Sequence, residues 1–293
     1  MKELVVISGK GGTGKTSIAA SLIKLSGSIV AADCDVDAAN LYLVVKHRVR
    51  MTTAFQGGKK AAIDSALCTS CGKCAELCRF DAISNIDSMF SVDKFACEGC
   101  GVCAYFCPEQ AITLNEEMGG NWFLSDTDSG PMVHARLTPG GENSGKLVTI
   151  VRNEAKRVAA DGGIGTIIID GAPGIGCPVI ASITGADAVL VVVEPTLSGM
   201  HDMKRALELA GYFGVRALLA VNRYDINEEI ASTISEYAAG NGITVAGRVR
   251  YDPDVTRAQI NGKSVVEYSD GPAASDIRRL QEALVDHLDL EVK

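Results

Sequence analysis

Aromatic residues are scarce, at 5% of the 293-residue chain with a single Trp, and proline occurs only 8 times. A core built on large rings is thereby excluded. What remains apolar is chiefly small and branched, which suits a parallel sheet covered by helices. No apolar run approaches the roughly 20 residues that cross a bilayer, so no membrane helix is expected. Positive charge is also short: 28 Lys and Arg stand against 36 Asp and Glu, a net charge of −8. That balance disfavours a broad, sequence-independent hold on nucleic acid. Met1-Lys2-Glu3 leads at once into an apolar stretch, so no secretory signal is expected.

Glycine, at 31 residues, and cysteine, at 10, are abundant instead. Without a secretory signal the cysteines imply a reducing, cytoplasmic setting, where patterned thiols hold metal rather than form disulfides.

Along the chain, residues 3–8 read as a buried strand, followed by a Gly-rich loop, a helix over 15–25 and a strand over 29–33. The strand–helix rhythm then stops. Eight of the ten cysteines fall between residues 56 and 117. Residues 119–145 read as an irregular excursion with short strands at 121–125 and 131–136. The rhythm resumes with a helix at 146–160 and strands at 166–170, 188–194, 217–222 and 243–249. A helix follows from 199, another covers 227–239, and an amphipathic helix closes the pattern at 273–288. The expectation is an α/β P-loop domain with a mostly parallel sheet and helices on both faces, formed by 1–58 and 118–293. A ferredoxin-like α+β module is expected as an insertion at 59–117.

Gly9-Lys10-Gly11-Gly12-Thr13-Gly14-Lys15-Thr16 fits the phosphate-loop pattern without a mismatch and sits between strand and helix, the context it requires. Glycines let backbone N–H groups curl around phosphates, and the helix N-terminus adds positive partial charge. Lys15 is expected on the β- and γ-phosphates and the Thr16 hydroxyl on Mg²⁺, with Ser17 beside it. Parallel strands deliver their C-terminal ends to one sheet edge. The acids of Asp33-Cys34-Asp35-Val36-Asp37 and Asp170 can therefore reach the same site. Asp170 is expected on Mg²⁺ directly or through water, and Gly174 is expected to offer an N–H to a γ-phosphate. Asp33 and Asp37 read equally well as solvated loop acids.

Cys68-x2-Cys71-x2-Cys74-x3-Cys78 is followed by Cys97-x2-Cys100-x2-Cys103-x3-Cys107-Pro108, and the two runs align as a repeat at an offset of 29. In such runs three thiolates hold one [4Fe–4S] cubane and the fourth reaches the other. Cys68, Cys71, Cys74 and Cys107 are expected to hold one cluster. Cys97, Cys100, Cys103 and Cys78 are expected to hold the second. Structural zinc and a merely stiffening role are the competing readings. Arg79 stands where the pattern has Pro, and a guanidinium there would raise the potential of the Cys78 cluster.

Lys10, directly after the first Gly, gives the deviant Walker A form. With Asp33–Asp37, Asp170–Gly174, Val193–Thr196, Val221–Arg223 and Tyr251–Val255, the chain resembles the MinD/ParA/Mrp ATPases, a group that includes the nitrogenase iron protein. The resemblance implies a dimer, homomeric or with a related ATPase, closed by ATP, with Lys10 crossing to the partner's phosphates. It implies a water-orienting Asp35, and adenine contacts from Asn222, Arg223 and the Arg250–Pro253 loop, including Asp252. It narrows to members with an inserted ferredoxin domain.

The expected function is an Mg-dependent ATPase (ATP and water to ADP and phosphate) coupled to two clusters, for electron transfer or cofactor assembly with a protein partner. The alternative is a positioning or partitioning ATPase with structural or sensing clusters. Outside these motifs, Cys177 reads as a lone thiol beyond the Asp170 loop. His134 and Arg136 read as an anion or partner contact, or as a solvated hairpin.

Overall fold

The computed structural model describes residues 1–139, 144–288 and 290. Its strands are β1 (Lys2–Ser8), β2 (Val30–Asp33), β3 (His47–Ile63), β4 (Ile83–Ile86), β5 (Met89–Val92), β6 (Ile112–Thr127), β7 (Gly130–Leu137), β8 (Thr166–Pro173), β9 (Ala188–Val193), β10 (Arg216–Asn222) and β11 (Thr244–Val249). Its helices are α1 (Lys15–Leu25), α2 (Leu41–Val44), α3 (Lys73–Glu76), α4 (Val102–Tyr105), α5 (Ser144–Gly162), α6 (Cys177–Ile183), α7 (Leu197–Tyr212), α8 (Glu228–Gly240), α9 (Pro253–Ile260), α10 (Val265–Tyr268) and α11 (Pro272–Leu288). Two compact units form. One is Met1–Thr53, Trp122–Arg136 and Ser144–Lys293; the other is Ala54–Asn121 and Leu137–Asn143, wider than the expected 59–117.

The first unit is organised by a sheet of strand order β11-β10-β9-β1-β8-β2-β7-β6-β3. The registered pairs among β11, β10, β9, β1, β8, β2 and β7 are all parallel. The central strands are buried on both faces: β9 is AVLVVV with every residue buried, and β1 is buried from Glu3 to Ser8. Such continuous apolar strands need helices on both sides. On one side α1 and α11 pack, α11 burying Ile277, Leu280, Leu284 and Leu288 against Leu4, Ile18 and Leu218 in one core cluster. At the foot of the sheet, buried Arg152 of α5 donates to the Glu3 carboxylate (2.9 Å) and to the Ala181 and Thr184 carbonyls (2.9 and 2.8 Å).

The short strands expected at 121–125 and 131–136 belong to the longer strands β6 and β7 rather than to an irregular excursion, and β3 lies outside the expected pattern. β3 runs 17 residues and β6 runs 16, and β7 follows β6 after only Asp128 and Ser129. Their sequences are broken by glycine pairs and charges, so neither two-residue alternation nor an apolar run signals them. The short helices α2, α6, α9 and α10 are likewise additions to the expected pattern.

In the second unit the 29-residue repeat is written into the backbone. Ser70 (φ 58°) corresponds to Gly99 (61°), Gly72 (78°) to Gly101 (79°), and Asp81 (50°) to Gln110 (51°). Cys68 N donates to Asp64 O as Cys97 N does to Asp93 O, both at 3.0 Å. β4 and β5 pair antiparallel. Ala61, Ala82, Cys97 and Ile112 form this unit's own small core.

Candidate functional site

Because β1, β2, β8, β9 and β10 run parallel, their C-terminal ends converge where β1 gives way to the Gly-rich loop. There a cleft of about 580 Å³ is lined by residues 11–18, Asp35, Asn222 and residues 249–252, among others. The volume lies within the roughly 300–1,000 Å³ typical of small-molecule sites. The loop needs its glycines for two reasons. Gly12 and Gly14 have φ of 82° and 88°, which favour a residue without Cβ. At Gly14 a Cβ would also lie 2.2 Å from the Asn222 amide nitrogen. Beside Gly11 nothing lies within 4 Å, which leaves space at the loop for a ligand.

Lys15 is buried and points at carboxylates. Its Nζ donates to Asp170 Oδ1 at 2.6 Å and lies 3.5 Å from Asp35 Oδ2. Burial alone would lower its pKa, but attraction to Asp170 and then Asp35 outweighs this and holds the ammonium above its ordinary range. Burial, opposed by Lys15, raises the Asp35 carboxyl. Asp170 Oδ2 is buried without a hydrogen-bond partner, as is Thr13 Oγ1. An orphaned carboxylate oxygen on an Asp that shares Lys15 with Asp35 fits the oxygen-rich set that Mg²⁺ takes. Asp33 faces inward, accepting from the Asp35 and Leu41 N–H groups (3.1 Å each), which makes it the organiser of the loop. Burial and then repulsion from Asp170 push its pKa to about 8.

Several expected ligands have other partners in the structure. The Gly174 N–H donates to the Ser8 carbonyl at 2.8 Å, so it is not free for a phosphate. Asn222 lines the cleft, but its amide donates to Thr13 O at 2.7 Å and its Oδ1 accepts from Arg223 N; it braces the loop. Asp252 caps α9, accepting from the Asp254 and Ala273 N–H groups. Ser17 Oγ accepts from Gln259 at 2.7 Å. Arg223, at φ 56°, reaches Glu194 at 3.6 Å. Lys10 does not extend outward: its Nζ lies 2.5 Å from Glu194 Oε1, 3.0 Å from Ser198 Oγ and 3.4 Å from Thr196 Oγ1. Sequence reasoning marked Val193–Thr196 without giving Glu194 this task. An acid directly after β9, at the same sheet edge as Lys10, was the available signal.

His134 is neither an anion contact nor solvated. It is buried, stacked between Phe123 (4.9 Å) and Tyr42 (6.1 Å), and bonded to Ser125 Oγ at 2.9 Å. Cys177 is exposed at the start of α6.

In the second unit all eight run cysteines are free thiols around two cavities. Cys68, Cys71, Cys74 and Cys107 line one; Cys78, Cys97, Cys100 and Cys103 line the other. Arg79 is not among the residues lining the Cys78 cavity. Among the described residues, no three His, Cys, Asp or Glu are grouped closely enough to hold a single metal ion.

A parallel sheet, a glycine cradle at its C-terminal edge and a buried Lys between two Asp define a P-loop nucleotide-binding protein. Residues 4–265 match the CobQ/CobB/MinD/ParA nucleotide binding domain, and the chain belongs to that family. Among its relatives is the uncharacterized protein MJ0578 of Methanocaldococcus jannaschii, 39% identical over 77% of this chain and 79% of that one. Among solved structures, the septum site-determining protein MinD of Pyrococcus horikoshii, complexed with Mg-ADP, superposes with a TM-score of 0.60 at 16% identity, covering 100% of this chain and 99% of that one. A ParA family ATPase of Chlorobium tepidum gives 0.55 at 17%, covering 97% and 98%. The family description concerns nucleotide binding and names no iron–sulfur group. Among the described residues no helix is long and apolar enough to cross a membrane.

Proposed function

We propose that the chain is an ATP-hydrolysing switch of the MinD/ParA kind, closed as a dimer by nucleotide, whose cycle governs the position or partitioning of a bound partner. The reading rests above all on Lys15 held between Asp170 and Asp35 at the mouth of the glycine cradle, with Asp170 Oδ2 left unpartnered. The family and the MinD and ParA neighbours support it.

Loop N–H groups and Lys15 would bind the phosphates, Lys15 exchanging carboxylates for phosphate as nucleotide enters. Thr16, Asp35 and Asp170 would hold Mg²⁺, which neutralises charge on the phosphates. Asp35 would orient the water that attacks the γ-phosphorus as the bond to ADP breaks. Lys10 would leave Glu194 for the partner's phosphates, so that charge compensation arrives only when two subunits close.

A second reading is favoured by the two four-cysteine cavities. Their donor sets suit two [4Fe–4S] clusters, which supply one-electron chemistry. The ATP cycle would then be coupled to electron transfer or cofactor assembly rather than to placement.

Anaerobically prepared protein should hydrolyse ATP only with Mg²⁺, and Lys15→Met should reduce the rate at least about 100-fold, as for loss of a transition-state charge contact. Iron and sulfide near eight each per chain would support the second reading. Absence of nucleotide binding in folded protein sinks the first, and zinc in place of iron sinks the second.

A further inference from the structure

The sheet of the first unit ends, in strand order, at β3, and among the described residues no strand pairs with its outer side. An unpaired edge presents a row of backbone N–H and C=O groups to any chain that can lie beside it. Within the first unit, Arg48 to Thr52 are consecutive exposed residues, so the strand is open there on both faces. Side chains alternate along a strand. Arg48 and Arg50 share one face, where both reach the half-exposed carboxylate of Asp126 on β6, at 3.7 and 3.2 Å. One carboxylate cannot neutralise two guanidiniums, so this face keeps positive charge in a chain of net charge −8. Val49 and Met51 take the opposite face, 45% and 38% exposed. Arginines alone would merely guard the edge against unwanted pairing. An apolar face beside them does the reverse, because it rewards a chain that covers it.

We infer that the outer edge of β3 at Arg48–Thr52 is a docking site for an extended segment of a partner protein, added to the sheet as a further strand. That segment alternates acidic with apolar residues. Its acids face Arg48 and Arg50, its apolar side chains cover Val49 and Met51, and its backbone completes the ladder. The charge pattern disfavours a second copy of this chain, since antiparallel pairing of the segment with itself sets arginine rows side by side. The alternation disfavours a flat anionic surface such as a bilayer, which meets only one face of a strand, whereas a neighbouring strand meets both. None of Arg48 to Thr52 lines the nucleotide cleft or the cysteine cavities. The inference is therefore independent of the nucleotide cycle and of the clusters.

The test is fluorescence anisotropy of full-length protein with an acetylated, dye-labelled peptide alternating Glu and Val over about eight residues. The parent should bind it saturably. A peptide of the same composition with its Glu and Val in separate blocks should bind at least about tenfold more weakly, as should the parent peptide to the Arg48→Glu, Arg50→Glu double variant. N-methylation of alternate peptide residues should abolish binding when it blocks the edge that faces β3, and spare it when it blocks the other. High salt should weaken binding but preserve that contrast, which charge attraction alone would not produce. Nucleotide binding by the double variant should match the parent and so report an intact fold. Folded parent that ignores the peptide, or binds it equally well with either edge N-methylated, overturns the inference. Phosphatidylserine vesicles bound in place of the peptide would assign the edge to a membrane instead. Self-association of nucleotide-free parent that the double variant loses would assign it to a second copy.

Discussion

At the scale of single residues, the nucleotide site is a set of charges holding each other in check. Lys10 is tied within its own chain to Glu194, which Arg223 also approaches. Replacing that acid by its neutral isostere removes the competitor for Lys10. Glu194→Gln should therefore dimerise at lower ATP concentration than the parent, by several-fold, in sedimentation experiments; an unchanged threshold would show that the pair restrains nothing. Gly14 is constrained both by φ and by the Asn222 amide, so Gly14→Ala should lose nucleotide binding in a fluorescence titration while the chain still folds. His134 offers a pH prediction. Burial, then the neighbouring His47 and Arg136, lower its pKa to about 4 from an ordinary value near 6.5. A base whose folded pKa is depressed contributes stability in full above the unfolded value and loses it as pH falls towards the folded one. Stability should thus drop between pH 6.5 and 4, by up to about 3 kcal/mol. His134→Phe should show less of that drop than the parent in urea titrations at the two ends of the window.

Elements show how unevenly the fold can be read in advance. The β1–loop–α1 unit and strands β8 to β10 announce themselves, because doubly buried parallel strands are largely apolar and their helices keep a 3.6-residue stripe; β11, at the end of the strand order and only partly buried, gives a weaker signal. β3 and β6 do not. Met51, Thr52 and Gln56 of β3 lie exposed among charges, so pairing with neighbours rather than composition makes them strands. The same limit applies to the site. Lys15, Thr16, Asp35 and Asp170 follow from motif and strand direction. The bracing roles of Asn222, Asp252 and Ser17, and the Lys10–Glu194 pair, depend on contacts between segments far apart in sequence. So does the Glu3–Arg152 clamp between β1 and α5. Glu3→Ala leaves a buried guanidinium with only carbonyl partners and should cost about 3–5 kcal/mol in chemical denaturation; a loss below 1 kcal/mol would mean that water already compensates.

For the whole molecule, a family nucleotide-binding unit shares one chain with a small repeat built around two four-cysteine cavities. In the proposed cycle the nucleotide unit would control assembly, since Lys10 would complete charge neutralisation only for a second subunit. Sedimentation velocity of the anaerobic full-length chain tests this most directly. With Mg²⁺ and a non-hydrolysable ATP analogue it should pass from monomer to dimer, revert with ADP, and remain monomeric as Lys10→Ala. A sedimentation coefficient indifferent to nucleotide, or a Lys10→Ala variant that dimerises as the parent does, would contradict the account.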